Sequence, residues 1–238
     1  MRVFMLLFLL LGILSFQQIS CKEKDTAPPV GDSIPTQALR YLALGDSYTI
    51  GQSVLEKERF PAQTTSLLLA QNIPIVNTAY IAGTGWPTTE LLRNIDLINP
   101  KGPFDIVSLL IGVNDQYQGR DTGAYHADFI LCITKAIELS GYKRDHVFVL
   151  SIPDYSVTPF AYRYSDTVAI RNALDAFNTI NKRVTDSLGI SYTYITALTQ
   201  EARYNKSLLA ADSLHPSGLD YERWAALLAP KMQKVLGY

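Results

Sequence analysis

Short apolar runs punctuate this chain, and longer stretches with apolar residues at helical spacing lie between them. Residues 38–44, 73–80, 104–111, 146–152 and 190–195 are compact, rich in β-branched and aromatic side chains, and read as strands. The run at 104–111, Phe-Asp-Ile-Val-Ser-Leu-Leu-Ile, is nearly continuous, which suits a strand buried on both faces. Between the runs, five segments read as helices. They are 62–71 with Pro61 at its first turn, 90–98 with Thr88 or Thr89 as N-cap, 123–139 closed by Gly141, 166–188 stopped by Gly189, and a closing amphipathic helix at 219–236. Residues 153–165 read as a long loop, with Tyr155, Phe160, Tyr162 and Tyr164 available as a pocket wall, and 210–218 reads as a second loop. Strands that alternate with helices predict the α/β class: a parallel sheet with helices on both faces and right-handed crossovers.

Polar residues of unusual chemistry sit where these runs stop. The first ends in Gly45-Asp46-Ser47-Tyr48, the third in Gly112-Val113-Asn114-Asp115, and the 210–218 loop holds Asp212-Ser213-Leu214-His215-Pro216. Open parallel sheets place their chemistry at the carboxyl ends of strands. A serine hydroxyl is a weak nucleophile until a base takes its proton. Of three histidines, His126 falls on a predicted helix and His146 at a strand start, which leaves His215 as the candidate base for Ser47. Asp212, three residues before it in a turn, is placed to reach the imidazole Nδ1 and fix its tautomer. A tetrahedral intermediate also needs donors for its oxyanion. The Ser47 N–H, a glycine N–H from Gly83-Thr84-Gly85 and the Asn114 amide are the candidates, while Asp115 reads as an ordinary turn residue. Each fragment also has a plainer explanation: Asp46-Ser47 can simply cap a helix, and Asp212 and His215 can simply shape the loop before Pro216.

With 238 residues, 47% hydrophobic and 18% charged, the chain suffices for one domain with a sizeable core. A net charge of −1 offers no basic footprint, so nucleic acid is not an expected partner. Arg2 precedes an apolar run over 3–14 and a more polar stretch over 15–20, the layout of a signal peptide. That run is shorter than the roughly 20 apolar residues a spanning helix needs. Ser20-Cys21 resembles the lipobox of bacterial lipoproteins, whose cysteine becomes the lipidated N-terminus, although Gln18 stands where that motif usually has Leu. An ordinary secretory signal and an uncleaved anchor are the alternatives. Residues 21–36, charged and then Pro- and Gly-containing, read as a tether, so the expected division is 1–20 signal peptide, 21–36 tether and 37–238 the folded domain. The expected location follows: exported, held by a lipid at Cys21 to a bacterial membrane, facing periplasm or cell surface. Cys132, the only other cysteine, lies in an apolar helical stretch and reads as a buried core residue.

Taken together and in order, these motifs resemble the SGNH/GDSL hydrolases, a superfamily of esterases, lipases and carbohydrate deacetylases. Gly45-Asp46-Ser47-Tyr48 resembles the family's first block, with Tyr48 in place of the usual Leu; Gly112-Val113-Asn114-Asp115 resembles the third and Asp212-Ser213-Leu214-His215-Pro216 the fifth. The resemblance implies a three-layer, flavodoxin-like fold with a five-stranded parallel sheet. It implies Ser47 as nucleophile, Asp212 and His215 as its partners, and an oxyanion hole of Ser47, Asn114 and one glycine. Gly85, followed six residues later by Leu91 at the start of a helix, fits the family's spacing better than Gly83. The implied activity is ester hydrolysis through an acyl-enzyme, on short acyl esters, lysophospholipids or acetylated carbohydrates. No cofactor is implied, and neither a His-Glu-x-x-His motif nor a Cys/His cluster is present. Trp86, Tyr117, Tyr155, Phe160, Tyr162 and Tyr164 are candidates for the cleft. Two rival classes remain: a ligand-binding lipoprotein on the same fold without turnover, and a nucleotide-binding α/β protein, against which the lack of a phosphate-binding Gly-x-x-x-x-Gly-Lys motif counts.

Overall fold

The structure, a computed structural model, describes residues 38–238 except residue 165. The signal peptide, Cys21 and the tether lie outside the described residues. In chain order the elements are β1 (Leu39–Asp46), α1 (Ser47–Ile50), α2 (Phe60–Ala70), β2 (Ile75–Gly83), α3 (Thr88–Ile98), β3 (Ile106–Leu110), α4 (Val113–Tyr117), α5 (Thr122–Leu139), β4 (Val147–Leu150), α6 (Pro159–Tyr164), α7 (Thr167–Ser187), β5 (Ser191–Thr193), α8 (Thr196–Gln200) and α9 (Gly218–Leu236). The five strands form one sheet in the order β2-β1-β3-β4-β5, every neighbouring pair parallel. This is the α/β sheet expected from the alternation of runs. Among the described residues, no helix is long and apolar enough to cross a membrane.

The strand order decides where helices go. From β1 the chain steps outward to β2, then returns past β1 to β3 and continues to β4 and β5. Right-handed crossovers in opposite directions put their helices on opposite faces. Accordingly α2 packs with α9, while α3, α5 and α7 pack in sequence. Phe60, Tyr221 and Trp224 interlock between α2 and α9 with ring centroids 4.9–6.3 Å apart. Tyr125, Phe129 and Phe177 do the same between α5 and α7. The middle of β1, from Tyr41 to Leu44, is wholly buried between these layers, as a strand covered on both faces must be. Cys132 is buried and unpaired, as its apolar context implied.

Several local expectations are corrected. Neither Thr88 nor Thr89 caps α3: the N-cap is Pro87, without a side-chain bond. The Thr88 N–H goes instead to the carboxylate of Asp115, 2.9 Å away. Residues 153–165 are not one loop. Asp154 accepts the Ser156 N–H and starts a short 3₁₀ turn. Thr158 Oγ1 then accepts the Ala161 N–H, and α6 begins at Pro159. A proline at the first helical position starts a helix rather than breaking one. The region after β5 had no assigned element and contains α8 and two further 3₁₀ turns.

At the end of β1 the chain is tightly packed. A β-carbon at Gly45 would run into Thr49 Oγ1 and the Leu110 carbonyl of neighbouring β3. The backbone of β3 cannot retreat without breaking its own ladder. Gly45→Ala should therefore destabilise the fold by about 2–3 kcal/mol, read as a lowered urea midpoint; an unchanged midpoint would contradict this packing.

Asp46 follows, buried, with its side chain accepting the Tyr48 N–H at 2.9 Å as the cap of α1. Burial pushes its carboxyl up to about 8, against the opposing hydrogen bond from Tyr48 and with the nearby charge of Asp115 adding to the rise. A folded value above the unfolded one means that the native state holds the proton more tightly. This contribution to stability is complete below about pH 4 and is lost as pH rises to about 8. Asn at this position keeps an acceptor for Tyr48 and cannot ionise. Asp46→Asn should gain stability relative to the parent as pH increases across that window. Thermal midpoints measured from pH 4 to 8 check this, and parallel curves for the two proteins would refute it.

Candidate active site

Ser47 is the first residue of α1, directly beyond the carboxyl end of β1. The Gly51 and Gln52 N–H groups both close back onto its carbonyl, and Gly51 sits in the left-handed region with φ +64°. The serine is therefore held on a single tight turn, with only 4% of its surface exposed.

The 210–218 loop delivers the other two residues. It folds back on itself: the Ala210 N–H donates to the His215 carbonyl at 2.8 Å, and Leu209 pairs with Pro216. Ser213 turns the chain with φ +63°. Asp212 Oδ1 then accepts the backbone N–H groups of Leu214 and His215, each at 2.9 Å. Its other oxygen, Oδ2, lies 2.7 Å from His215 Nδ1. A carboxylate only accepts, so Nδ1 carries the proton and Nε2 is free to accept. Nε2 lies 3.0 Å from Ser47 Oγ. The Tyr48 ring stands 4.9 Å from the imidazole, at 52° to it, and covers one side.

Burial alone would raise the Asp212 carboxyl. The Ser53 hydroxyl, the Leu214 and His215 N–H groups and the His215 ring outweigh it and hold the group down to about 2. Asp212 is thus ionised at neutral pH, and a carboxylate so placed favours an imidazolium beside it.

Asn114 and Gly85 face the same cleft, of about 200 Å³, together with Ser47, Tyr48, Gln52, Thr84, Val113, Tyr117, Tyr155, Phe160, Leu214 and His215. The Asn114 Nδ2 donates to the Trp86 carbonyl at 3.1 Å, leaving its second hydrogen for the cleft. Gly85 is left-handed, with φ +77°. Gly83 does a different job: a β-carbon there would run into the Trp86 indole. Of the aromatic residues read as candidates, Tyr117, Tyr155 and Phe160 line the cleft, with centroids 6.3 and 6.4 Å from Tyr117 to the other two rings. Trp86 packs against Gly83, and Tyr162 is 52% exposed; neither lines this cleft. The side chain of Tyr164 lies outside the described residues. His126 is exposed, and His146 bonds through Nδ1 to the Asp105 carbonyl at 2.6 Å, so neither belongs to the site.

Asp115 corrects the reading as an ordinary turn residue. It is fully buried and accepts from the Thr88 N–H, the Thr88 hydroxyl (2.7 Å) and Arg120 Nη1 (2.9 Å). Arg120 reaches on to Asp128 at 2.7 Å. Burial raises the Asp115 carboxyl, with the Thr88 bonds and Arg120 opposing. The residue beside Asn114 is thus the bolt between α4 and the start of α3, and it fixes the loop that carries Gly85. Two glutamines hold the same loop: Gln52 accepts the Thr84 hydroxyl at 2.7 Å, and Gln118 Nε2 donates to the Gly85 carbonyl at 3.2 Å. Nothing in local spacing marks these long-range partners; an Asp directly following a site Asn was the one available signal. Among the described residues, no group of three or more His, Cys, Asp and Glu side chains is arranged to hold a metal ion.

The same architecture recurs in solved structures. TesA superposes with a TM-score of 0.64 at 16% identity, covering 82% of this chain and 99% of its own. The psychrotrophic esterase EstA from Pseudoalteromonas sp. gives 0.62 at 16% identity, covering 84% of this chain and 99% of its own. Axe2, an acetylxylan esterase from Geobacillus stearothermophilus, gives 0.59 at 18% identity, covering 84% and 94%. At such identities the likeness is one of fold. No curated protein matches the chain significantly by sequence. The profile of the GDSL-like lipase/acylhydrolase family matches residues 43–223, from the middle of β1 into α9. The chain therefore belongs to the GDSL-like lipase/acylhydrolase family of carboxylic-ester hydrolases.

Proposed function

We propose that this chain hydrolyses esters of short acyl groups, with Ser47 as nucleophile, His215 as general base and acid, and Asp212 as the residue that orients and charges the histidine. The observation that carries the proposal is the unbroken line from Asp212 Oδ2 through His215 to Ser47 Oγ, at 2.7 and 3.0 Å, opening onto one cleft. His215 Nε2 takes the Ser47 proton as Oγ attacks the ester carbonyl. The oxyanion is received by the Ser47 and Gly85 N–H groups and by the free hydrogen of Asn114 Nδ2. His215 then protonates the departing alcohol. Water, activated by the same nitrogen, releases the acid and restores Ser47.

Size supports a small acyl group. The cleft is about 200 Å³, below the roughly 300–1,000 Å³ of pockets that enclose drug-sized ligands. The 59% exposed ring of Tyr117 at its edge favours an alcohol with a flat face, as an acetylated sugar has, and the fold is shared with an acetylxylan esterase. Export and lipidation at Cys21 are part of the proposal and are supported by the N-terminal sequence pattern alone. The substrate class is therefore a short-acyl ester or acylated carbohydrate met outside the cytoplasm.

Hydrolysis of p-nitrophenyl acetate, butyrate and octanoate tests the reading. The parent should turn over acetate fastest and octanoate slowest, and Ser47→Ala or His215→Ala should lower kcat by about 10⁴-fold or more. Equal rates in parent and Ser47→Ala would refute the nucleophile; a preference for octanoate would refute the short-acyl assignment.

A further inference from the structure

Asp212 receives one hydrogen bond that its own turn does not supply. Oδ1 is occupied by the Leu214 and His215 N–H groups, and Oδ2 by His215 Nδ1–H. The fourth donor, on Oδ2, is the Ser53 hydroxyl at 2.7 Å, 159 residues away in sequence.

Ser53 sits on the segment that begins at the nucleophile. Gly51 and Gln52 both bond back to the Ser47 carbonyl, and Ser53 is the next residue. It has φ +68°, a left-handed conformation that serine seldom adopts. Outliers of this kind persist where surrounding interactions hold them. Here the interaction is with the carboxylate beside His215. The residue is exposed, so core packing does not account for it.

The bond does two things that the other three do not. It links the turn bearing Ser47 to the turn bearing His215 without using the reacting atoms. It also fixes the second oxygen of a carboxylate whose first oxygen is already tied down, so the plane facing Nδ1 cannot rotate. During the reaction Nδ1–H must stay on the imidazole and point at Oδ2 while Nε2 gains and returns a proton. A donor on Oδ2 keeps that oxygen in line and makes it a poorer base for the Nδ1 proton.

We infer that Ser53 is a positioning residue for this hydrolase, its hydroxyl holding Asp212 Oδ2 against His215 and keeping the nucleophile and base turns in register. The inference rests on the roles proposed for Ser47, Asp212 and His215.

The test uses the full chain with Ser53→Ala, Ser53→Gly and Ser53→Asn, beside Ser47→Ala. Each is assayed for kcat and KM on p-nitrophenyl acetate and for its thermal midpoint. Glycine accepts the left-handed backbone freely and has no hydroxyl. Asparagine also tolerates it and keeps a donor. Ser53→Ala and Ser53→Gly should lose about 10- to 100-fold in kcat, the scale of a small misplacement of a reacting group, with KM within about twofold. Ser53→Gly should keep or raise the midpoint, and Ser53→Asn should recover at least part of kcat. Parent-like kcat in Ser53→Gly would overturn the inference. So would a kcat loss that tracks a lowered midpoint in all three variants, because Ser53 would then serve only loop stability. Retained activity in Ser47→Ala would strike the underlying reading instead, whatever the Ser53 variants do.

Discussion

A sheet whose first strand lies in its interior has one place where its connections part, and this molecule is built around that place. β1 is an interior strand, second in the sheet; its connection leaves toward the edge strand β2, whereas β3 and all later strands lie on its other side. Because the crossovers are right-handed, the loops after β1 and β3 diverge to opposite faces and leave a crevice between their carboxyl ends. Ser47 stands at one lip of that crevice and Asn114 just beyond the other, with Gly85 on the loop from β2. No loop needs to be long to bring them together. The geometry also explains the tightness at Gly45, where β1 must turn within contact of the β3 backbone.

Three aspartates lie around Ser47 and the proposed site, and their environments separate their tasks. Asp46 is buried, with the Tyr48 N–H donating to its side chain, and burial pushes it up to about 8. Asp115 is buried and raised as well, but Thr88 and Arg120 enclose it, and it serves as a bolt between α4 and the start of α3. Asp212 is the most accessible of the three and takes four donors, so it alone is held near 2. The same residue type is thus a cap, a brace and a permanent charge. Only the last suits an imidazole that, in the proposed reaction, gains and returns a proton within each turnover.

Much of this was legible in the sequence, for physical reasons. A strand buried on both faces has to be apolar throughout, so the run ending at Leu44 marked itself. An Asp three residues before a His can satisfy the turn's own N–H groups with one oxygen and the ring with the other, so Asp212 and His215 could be paired by spacing. What escaped depends on partners far along the chain. Asp115 looks like any turn aspartate until Thr88 and Arg120 are folded against it. Ser53 carries no local signal, because its meaning lies in Asp212. The helix α6 was hidden because proline and aromatic residues in a short stretch resemble a loop, although Thr158-Pro159 also makes a serviceable helix start. Gly85 was preferred over Gly83 only through a resemblance to the family's spacing, which by itself left the choice open; their surroundings differ, since Gly83 makes room for the Trp86 ring, whereas Gly85 lies on the cleft.

The central claim is that Ser47 Oγ carries the acyl group between the two halves of the reaction. Rapid acid quench of the parent during turnover of p-nitrophenyl acetate, followed by peptide mass mapping, addresses it directly. The account predicts a single acetyl group on the peptide containing Ser47, formed before steady-state turnover and lost as product acid appears. Turnover with no acetyl on that peptide, or with acetyl on a different residue, would contradict it.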